Sequence, residues 1–170
     1  MKRQFSAPLL HAWTRATGVA GATGSPGPDG ALAVPSGLSQ AVKGLSDLFT
    51  RGRVALPSPY LDEAKSRLAY LAYYFPVNLA KVQVLLDEMP APALVADAPE
   101  ATARPFTVLD LGCGPGAGTL GTLDWLRQHP ALKQMSLHLV AADRSAHAIE
   151  DCTRIWSAYT DADQARSVTL

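Results

Sequence analysis

Hydrophobic residues are spaced in more than one way along this chain. From Leu38 onward, Leu38, Val42, Leu45 and Leu48 recur at three- and four-residue steps. That is the spacing of one helical face, and it predicts a short amphipathic helix ending near Arg51-Gly52. After a break at Ser58-Pro59, Leu68, Leu71 and Phe75 form a second stripe behind Asp62 and Glu63, acids placed where the positive end of a helix favours them. Pro76 has no N–H and biases Phe75 away from helix, so this helix is expected to end or kink there. Val82, Leu85, Leu86 and Met89 mark the face of another helix, stopped by Pro90. The two are expected to form a helical hairpin or a kinked pair.

Beyond residue 105 the register becomes alternating α/β. Residues 106–111 read as a compact apolar strand, 119–128 as a helix burying Leu120, Leu123 and Leu126, and 137–142 as a second apolar strand. Ser145 is the N-cap expected for a further helix whose inner face is Ile149, Cys152, Ile155 or Trp156, and Tyr159. Strand, helix, strand, helix implies a parallel pair joined by a right-handed crossover, the start of a doubly wound sheet. SVTL at residues 167–170 reads as a third strand.

Two stretches show neither period. GVAGATGSPGPDGALAVPSG, residues 18–37, is dense in Gly, Pro, Ala and Ser and cannot bury enough apolar surface to offset ordering. With the loose segment before it, it makes residues 1–37 a disordered tail. Residues 91–105 form a second, Ala/Pro-rich linker. The expected organisation is therefore a tail over 1–37, a helical region over 38–90, a linker over 91–105 and an α/β part over 106–170.

Composition narrows the classes. The 170 residues are 48% hydrophobic and 18% charged, with Lys+Arg and Asp+Glu both at 15. They fit one ordinary core and carry no summed field to draw nucleic acid or an anionic membrane. Cys113 and Cys152 lie in no CxxC or Cys/His spacing, which points away from disulfides and zinc and toward a reducing compartment. No apolar run approaches the roughly 18 residues of a membrane span, so no membrane partner is expected. The first residues lack the continuous apolar core of a secretory signal. They are Arg-bearing and free of acid until Asp29, a mild likeness to an organelle transit peptide. The expected location is cytoplasmic, or mitochondrial in a eukaryote.

VLDLGCGPGAGTL, residues 108–120, carries the chemistry. A strand that breaks into glycines before a helix is how an open α/β sheet binds ligands at its strand ends. Gly112, Gly114 and Gly116 remove side chains where the backbone turns and a ligand comes close. Asp143, ending the second strand, is placed to accept from both ribose hydroxyls. A dinucleotide fingerprint can be drawn through Gly116, Gly118 and Gly121, or through Gly112, Gly114 and Ala117, so spacing alone leaves nicotinamide cofactors open. Asp110 separates the two: a carboxylate there disfavours a pyrophosphate and suits the cationic methionine part of S-adenosylmethionine (SAM).

DLGCGPG is similar to motif I of class I SAM-dependent methyltransferases, and AADRS to the acidic end of their second strand. The resemblance implies an incomplete Rossmann-like sheet and a SAM site holding Asp110, Gly112, Gly114, Gly116 and Asp143. YLAYYFPVNLAKVQVLLDEMP, preceded by LSQAVKGLSDLFTRGR, resembles the methyltransferase-like proteins of the small ribosomal subunit, a mitochondrial family with bacterial relatives. That resemblance runs from about Leu38 to the end. It implies the small ribosomal subunit or its rRNA as partner and rRNA methyl transfer as the reaction. In that family the acceptor-binding residues follow later strands, so the chain is expected to be the amino-terminal part of such an enzyme, with catalytic residues unassigned. The alternatives are a non-catalytic ribosome-assembly or RNA-binding protein and a nicotinamide-dependent oxidoreductase.

Other chemistry-bearing residues have plainer readings. Cys113 is a small filler, since no base neighbours it in sequence. Phe75, Trp125 and Trp156 are packing residues, Tyr73 and Tyr74 are open between core and RNA stacking, and His11, His129, His138 and His147 show no metal spacing.

Overall fold

The elements form where local signals and burial agree. The computed structural model describes residues 5–19, 37–51, 59–89, 105–129 and 137–160. In chain order they hold α1 (Ala7–Thr17), α2 (Leu38–Arg51), a 3-10 turn (Tyr60–Asp62), α3 (Ala64–Ala69), a π turn (Tyr70–Tyr74) and α4 (Phe75–Glu88). Then follow β1 (Phe106–Leu111), α5 (Ala117–Gln128), β2 (Leu137–Ala142) and α6 (Ala146–Thr160). The described residues are mixed α/β and mostly helical, with a two-stranded parallel sheet.

Helix α1 corrects the expectation of a disordered tail over 1–37. Ser6 caps it, its Oγ accepting from the Leu9 N–H, Pro8 sits in the first turn, and Gly18 ends it at φ 66°. Tertiary contacts supply what the short helix lacks alone. Leu9, Ala12 and Trp13 are buried, Trp13 stacks on Phe75 with centroids 6.4 Å apart, and the helix packs against α6. The rest of that tail, residues 1–4 and 20–36, lies outside the described residues, as do the linker up to residue 104 and the expected strand at 167–170.

Of the expected hairpin or kinked pair, the hairpin does not form: the two segments are continuous helix from Ala64 to Glu88, joined through the π turn. There the Phe75 N–H reaches back to Tyr70 O, and Pro76 falls in the first turn of α4. The widened turn accommodates a residue that has no N–H to give and whose ring crowds the preceding carbonyls. The buried line of α4 also differs from the apolar stripe. Phe75, Leu79 and Gln83 are buried, whereas Leu85 and Met89 are exposed. Gln83 takes a core position because its Nε2 donates to buried Asp124, 3.0 Å away on α5.

One core joins the helical and α/β parts, including Leu45, Leu61, Leu79, Leu120, Leu139 and Ile155. Asp124, with no exposed surface, pins three helices to it. Its carboxylate accepts from Ser6 N–H (3.3 Å) and Oγ before α1, from Gln83 on α4, and from Tyr159 Oη (2.8 Å) on α6. Both apolar strands form over the expected residues, 106–111 and 137–142. Leu139 is buried, but Leu109, Leu111 and Val140 are 60%, 73% and 40% exposed, so one apolar face of the sheet is bare. Among the described residues no helix is long and apolar enough to cross a membrane.

Candidate functional site

The parallel register places Leu111 opposite Ala142, so the chain leaves both strands at the same level. Ala142 O accepts from the N–H of Gly112 at 2.7 Å and of Cys113 at 3.1 Å, folding the glycine turn back over the end of β2. Gly112, Gly114 and Gly116 have φ of 73°, 54° and 88°, left-handed values that side chains resist. One of them is also crowded: a Cβ on Gly116 would lie only 2.4 Å from Cys152 Sγ, whereas one on Gly114 would meet Leu61 Cδ1 at an ordinary contact distance of 3.5 Å. Gly112 has open space.

Asp143 organises this turn. Its Oδ2 accepts from the Gly114 N–H at 2.8 Å and its Oδ1 from the Ser145 N–H at 2.8 Å. Each carboxylate oxygen keeps acceptor capacity beyond one bond. With Gly112, Ala142, Arg144 and Ser145, Asp143 lines an open cleft of about 500 Å³, completed by Pro59, Tyr60 and Leu61.

The other two expected residues point elsewhere. Asp110 Oδ2 accepts from Thr119 N–H at 2.9 Å and Thr119 Oγ1 at 2.8 Å, fastening the end of β1 to the first turn of α5. Gly118 permits this, since a Cβ there would meet that oxygen at 2.6 Å. Gly116 meets α6 through Cys152. The structure thus gathers Gly112, Gly114 and Asp143, while Asp110 and Gly116 hold the turn to its helices.

A side of the cleft invisible to sequence patterning comes from the helical part. Sequence places Asp62 in the first turn of a helix; the structure places it in the 3-10 turn, where its Oδ1 accepts from Ser145 Oγ at 2.6 Å. Ser145 in turn caps α6, its Oγ accepting from the Ala148 N–H at 3.2 Å. Arg67 Nη1 donates to Leu61 O at 3.0 Å and Asp62 O at 3.3 Å, and its Nε pairs with buried Asp151 at 3.2 Å. Asp62 and Ser145 lie 83 positions apart, a separation no local period reports.

The local electrostatics follow from this packing. Burial, then the neighbouring Tyr70 and Asp143, push the Tyr60 phenol up to about 12, with Arg144 opposing. Tyr70, whose Oη accepts from Asn78 Nδ2 at 3.2 Å, is raised chiefly by burial. Cys113 is pushed up by the hydrogen bond it shares with Cys152 and by burial, with Asp110 and Asp143 adding to the rise. A thiol so held is a poor nucleophile. Among the described residues no group of three or more His, Cys, Asp or Glu could hold a metal ion.

No family model matches the chain, and no curated protein or solved structure matches it.

Proposed function

We propose that the chain is a SAM-dependent methyltransferase-like protein acting on or assembling the small ribosomal subunit, with rRNA the methyl acceptor. In this proposal β1, α5, β2 and α6 belong to a Rossmann-like α/β unit. The observation that carries it is the bond from Gly114 N–H to Asp143 Oδ2, which joins the glycine turn and the second-strand acid at the rim of one cleft. Two backbone N–H groups orient the Asp143 carboxylate and leave it lone pairs for two vicinal ribose hydroxyls. Gly112, with open space where a side chain would be, lets a ligand approach the backbone.

When bound, SAM supplies an electrophilic methyl group, and the protein's part is placement and electrostatics. Asp110 contributes by fixing β1 to α5, since its Oδ2 is already engaged by Thr119. The ribosomal side is supported by the sequence resemblance of residues 70–90 and by Tyr73 and Lys81, both exposed on the helix that runs from Ala64 to Glu88. The setting is cytoplasmic, or mitochondrial in a eukaryote.

A second reading, a non-catalytic ribosome-assembly or RNA-binding protein, is favoured by the commitment of Asp110 to α5 instead of to the cleft. Isothermal titration with SAM and NAD, alongside salt-dependent binding to small-subunit RNA, separates these. SAM binding lost in Asp143→Ala supports the proposal. RNA binding with neither cofactor supports the second reading, and NAD binding without SAM overturns both.

A further inference from the structure

The cleft has two unlike sides, and the one from outside the sheet is built in advance. Tyr60 lines it from the 3-10 turn, half-buried, with its ring edge-to-face against Phe49 at 5.3 Å between centroids. The turn is tied at several points. Asp62 accepts from Ser145 at the start of α6, and Arg67 grips the carbonyls of Leu61 and Asp62 while pairing with Asp151. Leu61, 3% exposed, packs close to Gly114. The ring is therefore held beside the same carboxylate that the ribose requires.

We propose that Tyr60 is a ligand-contacting residue, the aromatic wall against which the purine of a nucleoside anchored on Asp143 packs. This rests on the SAM site proposed above and assigns the adenosine end of the ligand to the cleft between Tyr60 and Asp143. A flat, half-buried phenol suits a purine because base-on-ring packing demands area and little directional bonding. Asp143 supplies the directional part, through the ribose. An adenosine fragment should then bind without its methionine portion, and methionine alone should not. The helical part becomes a component of the ligand site, since Tyr60 reaches the cleft only while Asp62 and Arg67 hold their partners.

The test is isothermal titration of SAM, adenosine and methionine into the full chain and its Tyr60→Leu, Tyr60→Trp and Asp143→Ala variants. Leucine keeps apolar contact with Phe49 but offers no ring face, so Tyr60→Leu should weaken adenosine and SAM by about tenfold or more, and Tyr60→Trp should restore them. Thermal melts of each variant verify the fold, and the Trp variant carries the comparison if Tyr60→Leu unfolds: a Trp that leaves the protein folded but binds adenosine more than about tenfold worse overturns the stacking role. If Tyr60→Leu binds adenosine like the original chain while Asp143→Ala does not, Tyr60 is no ligand residue and the SAM proposal stands. If SAM and methionine bind but adenosine does not, the cleft assignment falls alone. If neither SAM nor adenosine binds, both proposals fall.

Discussion

The N–H of Gly114 donates to Asp143 Oδ2 over 2.8 Å, so the glycine turn and the acid of the second strand are one unit before any ligand arrives. Asp143→Ala removes the acceptor of two backbone N–H groups, those of Gly114 and Ser145. Charge-assisted bonds of this kind contribute about 1.5–3 kcal/mol each, less where water can replace them. The expected result is a loss of about 2 kcal/mol in urea denaturation together with loss of SAM binding. Full SAM affinity in this variant would remove Asp143 from the site.

The three glycines of the turn should not be equally costly to replace. Gly112→Ala meets only the strain of φ 73°, with nothing within 4 Å, and should cost about 1 kcal/mol while filling the mouth of the cleft. Gly116→Ala meets φ 88° and Cys152 Sγ at 2.4 Å, and should cost about 3 kcal/mol through strain and overpacking together. Adding Cys152→Ala to Gly116→Ala should recover part of this, the overpacking part. No recovery in the double variant would place the whole cost in the backbone.

How much was legible in the sequence depends on whether a feature has a local signature. Gly112 and Asp143 were legible because glycines after a strand and an acid after the next one report their own geometry, and the parallel register does the rest. The role of Asp110 was not, because its partner, Thr119, lies nine positions on, inside a helix whose pattern says only which face is apolar. The places of Tyr60 and Asp62 at the cleft were not, because Asp62 accepts from Ser145, 83 positions on, and Tyr60 sits with it in the same 3-10 turn. Helix α1 has local signals too: Ser6, Pro8 and Gly18 are start and stop signals, and Leu9, Ala12 and Trp13 keep helical spacing. The glycine-rich run after it drew the whole segment into a tail. Gln83 shows the opposite failure, a polar residue in a core position that only Asp124 explains.

Asp124 is the residue on which α1 depends. It accepts from Ser6, Gln83, Gln128 and Tyr159 with no exposed surface of its own. Asp124→Ala strands these donors and should destabilise the fold by about 3 kcal/mol or more in urea titration. Ser6→Ala, which loses both the cap and this link, should cost about 1–2 kcal/mol. The double variant should cost less than the sum, because the two residues share one bond. Strict additivity would show that Ser6 acts through its cap alone.

Alkaline pH should loosen the fold through two phenols, Tyr60 half-buried and Tyr159 buried. Tyr60 and Tyr159 are each raised from 10.0 to about 12 in the folded chain, by burial first and then by their neighbours, Tyr70 and Asp143 for Tyr60 and Asp124 for Tyr159. The unfolded chain therefore gives up these protons first, and binds fewer than the folded chain between the two values. The stability that the neutral phenols contribute is whole below pH 10 and is lost as pH rises through 12. Melting temperature should fall across that interval, and less steeply in Tyr60→Phe/Tyr159→Phe, although this variant starts lower for want of the bond from Tyr159 to Asp124. An equal slope in both proteins would assign the alkaline loss to other groups.

The bare face of the sheet should govern self-association. Leu109, Leu111 and Val140 are 60%, 73% and 40% exposed on adjoining strands, an apolar surface that water disfavours and that another apolar surface would cover. Leu111→Lys replaces the most exposed of them with a side chain whose ammonium stays in water. Because little is buried there, the change in stability should stay within about 0.5 kcal/mol. Sedimentation of the original chain should show concentration-dependent association, and Leu111→Lys should shift it toward the monomer. A monomeric original chain would show that this face does not drive association, and a large loss of stability in Leu111→Lys would show that Leu111 is packed against something and not bare.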